Sequence, residues 1–326
     1  MLPVLIDFYF SGQSTVRSIA ALHRIYPRYS LKRRLAYLAN GINLLTVKRE
    51  PLALGLMKNI LASATASGTG TATALLLHKL EQNGRVYAFS LNERSELQAV
   101  TKIALTQPAR RGVVREQAVL QNIDRGKLPF QIPSVMSSFD YQGAYFLCLN
   151  AASRELCIHD KSAGLPDYIF DSIASLRPQA APSLLPCKSF PWFDAAMQRI
   201  TNPAIKEIAR KINPDCTFDI AAAHCDLGSE NVFSTHNHDP REPQFAIIDW
   251  EYFTETAPAM TDRVAYWLGQ HHRLFKRRIG GWSGRAAATS FLDAFSKSPG
   301  GTSAAVFALI GLLYMGNDLA ERLCGE

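Results

Sequence analysis

The stretch AHCDLGSENVFSTHNHDPREPQFAIIDWEYF, residues 223–253, decides how this chain is interpreted. Asp226 is followed five positions later by Asn231, and a polar, turn-forming segment then leads into an apolar run over 245–248 that ends at Asp249. Apolar segments on both sides of such a turn predict a hairpin of two short strands. The hairpin would bring Asp249 back beside Asn231, so that three oxygen-bearing side chains converge.

Phosphoryl transfer requires such a set of side chains. A carboxylate accepts or orients the proton of the attacking hydroxyl, and oxygen ligands hold Mg²⁺ against the phosphates because hard cations prefer oxygen donors. Kinases carry the base and an Asn on one loop and a second Asp on the next turn. Asp226, Asn231 and Asp249 follow one another in that order. The alternative interpretation is a buried turn in which these Asp and Asn side chains bind the backbone.

The pattern H-x-D-x-x-x-x-N, followed by an apolar strand that ends in Asp-Trp-Glu, resembles the aminoglycoside phosphotransferase and choline kinase group. Members of this group are small-molecule kinases with a protein-kinase-like fold. The resemblance implies that Asp226 is the catalytic base, that Asn231 and Asp249 are Mg²⁺ ligands, and that His224 orders the loop. It makes Glu251 an auxiliary residue behind the metal ligands.

The segment Pro-Ala-Met-Thr-Asp-Arg-Val-Ala, residues 258–265, resembles the start of a later helix in the same family. The match is weaker, because the family's Gly is missing and Arg-Val replaces its usual apolar residue. An Asp at this position can cap a helix. Asp262 is therefore expected to brace the catalytic loop.

The upstream half carries a candidate phosphate-binding pair. Strand-like segments predict an antiparallel meander, and its third strand, Leu97 to Leu105, holds Lys102 among apolar neighbours, where an unpaired ammonium is costly. Glu116 lies near the start of a helix predicted over 112–123, and kinases pair a strand Lys with a helix Glu to position the α- and β-phosphates. The alternatives are a lysine that extends to solvent and a solvated Glu favoured by the helix dipole. Lys79 is a rival, but it lies next to an Asn-Gly turn.

The segment Ser-Gly-Thr-Gly-Thr, residues 67–71, is a candidate nucleotide-covering loop. Gly68 and Gly70 would allow backbone N–H groups to approach a phosphate. No Gly-Lys-Ser/Thr follows, so the segment is not a Walker A motif. A plain flexible turn is the alternative.

The order of the elements, strands first and helices later, predicts an α+β fold. Together with the resemblance, it predicts a two-lobed protein-kinase-like fold with an antiparallel-sheet N-lobe and a mostly helical C-lobe. We expect a leader without a readable role over 1–55 and a nucleotide-binding N-lobe over 56–150. The C-lobe over 151–326 would carry the catalytic loop and the acceptor site.

Composition excludes several classes of protein. With 326 residues, 47% of them hydrophobic and 19% charged, the chain is globular. Its formal net charge is +7, but the basic residues are scattered and do not form a nucleic-acid-binding pattern. The six cysteines include no C-x-x-C pair, which favours a reducing compartment. Without a signal peptide or an apolar run of membrane-spanning length, we expect a cytoplasmic protein.

The expected function is transfer of the γ-phosphate of ATP, or of another nucleoside triphosphate, to a hydroxyl with the help of Mg²⁺. The acceptor would be a small molecule such as a sugar, an amino alcohol or an aminoglycoside-like compound. A protein Ser/Thr kinase is an alternative, although no Ala-Pro-Glu-like element follows Asp249. A nucleotide-binding pseudokinase is the other alternative. Neither the acceptor nor the oligomeric state is encoded in a readable motif.

Overall fold

A computed structural model describes most of the chain. The described residues are 10–11, 72–78, 84–91, 97–141, 143–151, 156–159, 164–228, 230–235, 244–271, 284–298 and 300–325. Apart from Phe10–Ser11, the predicted leader over 1–55 lies outside these residues, and so does the loop with Gly68 and Gly70.

Helices and strands alternate in groups along the chain. In chain order they are β1 (Phe10–Ser11), β2 (Ala72–His78), β3 (Arg85–Leu91), β4 (Leu97–Ala104), α1 (Gln107–Asn122), β5 (Val135–Tyr141), β6 (Ala144–Asn150), β7 (Leu156–Ile158), α2 (Asp167–Ala174), β8 (Leu184–Pro186), α3 (Phe193–Gln198), α4 (Pro203–Lys211), β9 (Thr217–Ala223), β10 (Val232–Thr235), β11 (Phe245–Ile247), β12 (Thr254–Pro258), α5 (Thr261–Gln270), α6 (Gly284–Phe295), α7 (Gly301–Tyr314) and α8 (Asp318–Cys324).

The chain divides into two compact units, each assembled from several segments. The first consists of residues 1–123, 130–158 and 233–251. The second consists of residues 124–129, 159–232 and 252–326.

The first unit is built on a six-stranded sheet with the order β1-β2-β3-β4-β6-β5. All of its pairs are antiparallel, which confirms the predicted meander. β2 and β3 pair from Ala72 opposite Leu91 to His78 opposite Arg85, next to the expected Asn-Gly turn. Gly84 has φ +59°, a left-handed conformation that glycine adopts without steric cost. The short strands β11, β10 and β7 form a second sheet, in which β10 and β11, the two strands of the predicted hairpin, are neighbours. The segment between these two strands, residues 236–243, lies outside the described residues.

The helix predicted over 112–123 is present as α1, but it begins at Gln107, five residues earlier, so the predicted start was wrong. Pro108 lies in the first turn of the helix, where a missing N–H costs nothing. The Thr106 side chain caps the helix by accepting a bond from the Ala109 N–H at 3.4 Å. The helix packs on β4 and β6. Its buried face recurs at helical spacing and consists of Ala109, Val113, Glu116 and Leu120.

The second unit packs helices around α7 and adds a small sheet. The sheet has the order β12-β9-β8, and the sequence pattern did not predict these strands. α7 is buried continuously over 305–313, which explains its uniformly apolar sequence. Phe307 lies at its centre and contacts the rings of Phe190, Trp192, Phe193 and Phe218.

The predicted α+β class is confirmed: the first unit is organised by an antiparallel sheet and the second mainly by helices. Within the described part of the chain, no helix combines the length and the apolar character needed to cross a bilayer.

Truncating the aromatic centre of the second unit tests this packing. We expect Phe307→Ala to lower the free energy of unfolding by about 3–5 kcal/mol, because a fully buried ring leaves a cavity. Urea unfolding measures the loss. Leu184→Ala is the control, since Leu184 is 53% exposed in the same unit. Similar losses in the two variants would contradict the burial of Phe307.

Candidate active site

A buried ammonium lies at the centre of the first unit. The Lys102 Nζ is 2.6 Å from Oε2 of Glu116 and 2.6 Å from Oδ1 of Asp249. Lys102 is 6% exposed and Glu116 is fully buried, whereas the side chain of Asp249 is 24% exposed. The cluster thus has one accessible carboxylate, and solvent or a ligand can approach it from the side of Asp249.

Three different elements bring these groups together. Lys102 lies on β4 directly opposite Tyr87 of β3 and Leu147 of β6. Glu116 belongs to the apolar face of α1, which packs on the same sheet. Asp249 follows the buried strand β11 and has φ +67°, a left-handed conformation that is unusual for a residue with a side chain. Packing of α1 on the sheet therefore places Glu116 beside Lys102, and the turn after β11 places Asp249 there.

The electrostatics of the cluster follow from burial and pairing. Burial alone lowers the pKa of Lys102, but the carboxylates of Asp249 and Glu116 outweigh it and hold the pKa above its ordinary value. Burial raises the pKa of Glu116 to about 7, although the adjacent ammonium opposes the rise. Lys102 is therefore charged at neutral pH. Two carboxylates face this one ammonium, an arrangement that favours the approach of a further cation.

Sequence reasoning missed a second ion pair beside this cluster. The Arg85 guanidinium donates two hydrogen bonds to the Glu251 carboxylate, one of them from Nη1 to Oε1 at 2.9 Å. Gly112 of α1 lies against both side chains. No motif identifies Arg85 or Gly112, because their importance depends on elements that are remote in sequence. The only available signal was a charged residue at the first position of a predicted strand.

In the second unit, the loop after β9 presents Asp226. The Asn231 amide Nδ2 donates to the Asp226 carbonyl oxygen at 2.8 Å and to Asp226 Oδ2 at 3.1 Å. The Asp226 N–H donates to Nδ1 of the buried His224 at 3.3 Å. Asp226 is half-buried, so its carboxylate is oriented by Asn231 and still accessible.

Asp262, at the start of α5, fastens this loop. Its Oδ2 accepts the His224 N–H and its Oδ1 accepts the Cys225 N–H, both at 2.8 Å. Burial raises the pKa of Asp262 to about 6, and the two backbone hydrogen bonds oppose the rise. Cys225 has φ +67°, so the contacts with Asp262 maintain a strained backbone.

The predicted Mg²⁺ ligands have suitable donor chemistry. Asp249 offers a carboxylate. The Asn231 amide donates its hydrogen bonds through nitrogen, so its carbonyl oxygen would be the ligand atom. Mg²⁺ commonly takes only one or two protein oxygens and completes its shell with water and phosphate. Among the described residues, no group of three or more His, Cys, Asp or Glu side chains is arranged to hold a metal ion.

The structure therefore brings the predicted site residues together in two clusters. Lys102, Glu116, Asp249 and Glu251 belong to the first unit, whereas His224, Asp226, Asn231 and Asp262 belong to the second. The convergence of Asp249 with Asn231 stays a prediction, as do the chemical roles of all these residues.

Similarity to known proteins was found at the level of structure. No protein-family model matches the sequence, and no curated protein matches it. Among solved structures, APH(2″)-IIa in a ternary complex with streptomycin and ATP has a TM-score of 0.38 and 16% identity, covering 55% of this chain and 66% of that one. The GDP complex of aminoglycoside 2′-phosphotransferase-IIIa has a TM-score of 0.44 and 12% identity, covering 73% and 88%. ADP-bound APH(2″)-Ib has a TM-score of 0.36 and 14% identity, covering 73% and 77%. At these TM-scores and identities, functional conclusions depend on the residues of the chain itself.

Removing one carboxylate oxygen from Asp262 tests whether it holds the loop. We expect Asp262→Asn to lower the free energy of unfolding by about 1–3 kcal/mol, because an amide NH₂ would face a buried backbone N–H. Urea unfolding gives the free energy, and hydrogen exchange should accelerate at the amides of His224 and Cys225. Asp293→Asn, at an exposed position of α6, is the matched control. Unchanged exchange at both amides would contradict the bracing role.

Proposed function

We propose that this chain is a phosphotransferase that moves the γ-phosphoryl group of ATP, or of another nucleoside triphosphate, to a hydroxyl of a small molecule. The observation that carries the proposal is the ammonium of Lys102, buried between Glu116 and Asp249 at 2.6 Å from each. A strand lysine held by a helix glutamate, beside an aspartate that follows a buried strand, is the arrangement with which kinases bind a triphosphate.

Lys102 would bind oxygens of the α- and β-phosphates. Glu116 keeps the ammonium in place, because a buried carboxylate and a buried ammonium cannot separate without leaving a charge unpaired. The binding group is therefore oriented before the nucleotide arrives. Such preorganisation lowers the cost of charge reorganisation during transfer.

Asn231 and Asp249 would hold the Mg²⁺ that accompanies the nucleotide. Bound there, the cation neutralises charge on the phosphates. Asp249 is the accessible carboxylate of the first cluster, and Asn231 lies on the loop of the second.

Asp226 would act on the acceptor. Its carboxylate orients the acceptor hydroxyl and takes its proton as the oxygen attacks the γ-phosphorus. A bond forms between that oxygen and phosphorus, the bond from phosphorus to the β–γ bridging oxygen breaks, and the nucleoside diphosphate leaves with that electron pair. The hydrogen bond from Asn231 fixes the carboxylate for this task.

The acceptor class follows from the resemblance of the motif segment to small-molecule kinases. A sugar, an amino alcohol or an aminoglycoside-like compound fits this class. Trp-Glu after Asp249, in place of the Phe-Gly of protein kinases, disfavours a protein substrate. Free cysteines at 148, 187, 216, 225 and 324, together with ATP as substrate, fit the cytoplasm as location.

A phosphorylation screen over a metabolite library, with ATP and GTP as donors, tests the activity directly. Transfer to a small molecule would support the proposal. A chain that binds nucleotide with Mg²⁺ but phosphorylates no acceptor, peptides included, would be the pseudokinase alternative. Phosphorylation of peptides alone would identify a protein kinase.

Removing the proposed base should separate chemistry from binding. We expect Asp226→Ala to reduce kcat by about 10²–10⁴-fold, the usual contribution of a positioned base, and to leave nucleotide affinity unchanged. Steady-state kinetics and calorimetry measure the two quantities. Asp215→Ala, which removes an exposed carboxylate from the same unit, is the control. An Asp226→Ala protein with wild-type turnover would refute the assigned role.

Removing the accessible carboxylate of the first cluster should act on binding instead. We expect Asp249→Ala to weaken nucleotide binding in the presence of Mg²⁺ by about tenfold or more, equivalent to about 1.4 kcal/mol. Calorimetry with Mg²⁺ and with a chelator gives the comparison, and Asp140→Ala is the exposed control in the same unit. Equal affinities for the variant and the wild type with Mg²⁺ would exclude Asp249 as a ligand.

A further inference from the structure

The Arg85–Glu251 pair is more elaborate than an ordinary surface ion pair. Nη1 of Arg85 donates to Oε1 of Glu251 and Nη2 donates to Oε2, and the two side chains are only 12% and 6% exposed. Bidentate pairs of this kind fix orientation as well as distance. A buried ion pair is also weak evidence for stability, because desolvation offsets much of the attraction. A positioning role accounts better for the geometry than stability alone.

Gly112 of helix α1 has no side chain, and the ion pair of Arg85 and Glu251 occupies the space where one would lie. A Cβ atom on Gly112 would lie within 3.0 Å of both the Arg85 guanidinium and the Glu251 carboxylate. Glycine inside a helix is less favourable than alanine by about 1 kcal/mol. The helix backbone at Gly112 therefore covers the ion pair at a cost in helix propensity.

The same face of the sheet supplies the partners of Asp249 and Glu251. Tyr87 is the direct cross-strand partner of Lys102, and Arg85 lies two residues before Tyr87 on β3. Side chains two apart on a strand share a face. Lys102 and Arg85 thus project from neighbouring strands toward one side, where Lys102 binds Asp249 and Arg85 binds Glu251.

The short segment from Asp249 to Glu251 is held at each of its residues. Asp249 has the strained φ of +67° and binds Lys102. The Trp250 N–H donates to Glu116 Oε1 at 3.3 Å, and its fully buried indole donates to the Ile247 carbonyl at 3.0 Å. Glu251 completes the set through Arg85. A left-handed residue persists only when its surroundings determine its conformation, and these contacts provide that constraint.

We propose that Arg85, Glu251 and Gly112 together position Asp249 for the metal-bound nucleotide, which makes Arg85 and Glu251 positioning residues rather than metal ligands. The proposal rests on the proposed function, in which Asp249 holds the Mg²⁺ that arrives with the triphosphate. Loosening the pair lets the turn leave its strained conformation, and the carboxylate of Asp249 then loses its fixed direction. Residues that orient a metal ligand typically change metal affinity by about 10- to 100-fold when they are replaced.

Calorimetry of ATP binding, with Mg²⁺ and with a chelator, tests the proposal on the full chain. We expect Glu251→Gln to weaken binding by about 10- to 100-fold with Mg²⁺ and to leave binding in chelator unchanged. The reason is that an amide NH₂ would face a guanidinium donor. Arg110→Gln, which breaks the exposed pair with Asp140 in the same unit, should leave both affinities unchanged.

Gly112→Ala is an independent test of the positioning role, because it changes no charge. Helix propensity alone predicts a small gain in thermal stability and wild-type binding. The positioning role predicts the same loss of Mg²⁺-dependent affinity as in Glu251→Gln, because the Cβ atom displaces the pair. Should Glu251→Gln fail to fold, Arg85→Lys replaces it: the charge remains but the bidentate geometry is lost, and the same Mg²⁺-specific loss is expected.

The outcomes separate this proposal from the proposed function. A wild-type chain that binds no ATP with Mg²⁺ would overturn the phosphotransferase assignment itself, and the positioning role with it. A wild-type chain that binds, together with folded variants that keep wild-type Mg²⁺ dependence, would overturn the positioning role alone. Equal losses with and without Mg²⁺ would also overturn it, because they would indicate a general structural defect.

Discussion

A charged amine buried in a sheet must be paired, and in the first unit this constraint acts on Lys102. β4 removes its ammonium from water, so carboxylates have to come from elsewhere in the fold. Glu116 arrives from α1 and Asp249 from the turn after β11. The requirement therefore ties together a strand, a helix and a turn that are far apart in sequence. The Trp250 N–H reinforces the same arrangement by donating to Glu116.

In the second unit the buried charged group is a carboxylate, and burial likewise requires partners for it. Asp262 is a buried carboxylate, and the backbone N–H groups of His224 and Cys225 donate to its two oxygens. Those two donors lie in the loop that presents Asp226. A group that is costly to bury consequently determines the backbone of the proposed catalytic loop.

Strain marks both clusters. Among the described residues, Cys225 and Asp249 are the non-glycine residues with positive φ, each at +67°. One directly precedes the proposed base Asp226, and the other is the proposed metal ligand. Backbone strain persists where the surroundings over-determine it, and such places are frequently functional. The two outliers therefore support the assignment of function independently of any motif.

Local sequence determined much of this protein. Spacing and residue type predicted Lys102, Glu116, Asp226, Asn231 and Asp249 as site residues, because a buried charge and a phosphoryl-transfer loop would each require particular residue types in a particular order. The family resemblance predicted Asp262. The meander of β2, β3 and β4 followed from apolar runs and an Asn-Gly turn. The start of α1 was predicted too late, because Pro108 is accommodated in the first turn of the helix. Only the tertiary structure showed that Arg85 and Gly112 lie against Glu251. An ion pair between residues 85 and 251 has no local signature, because it forms only when the strand, the helix and the turn have packed together.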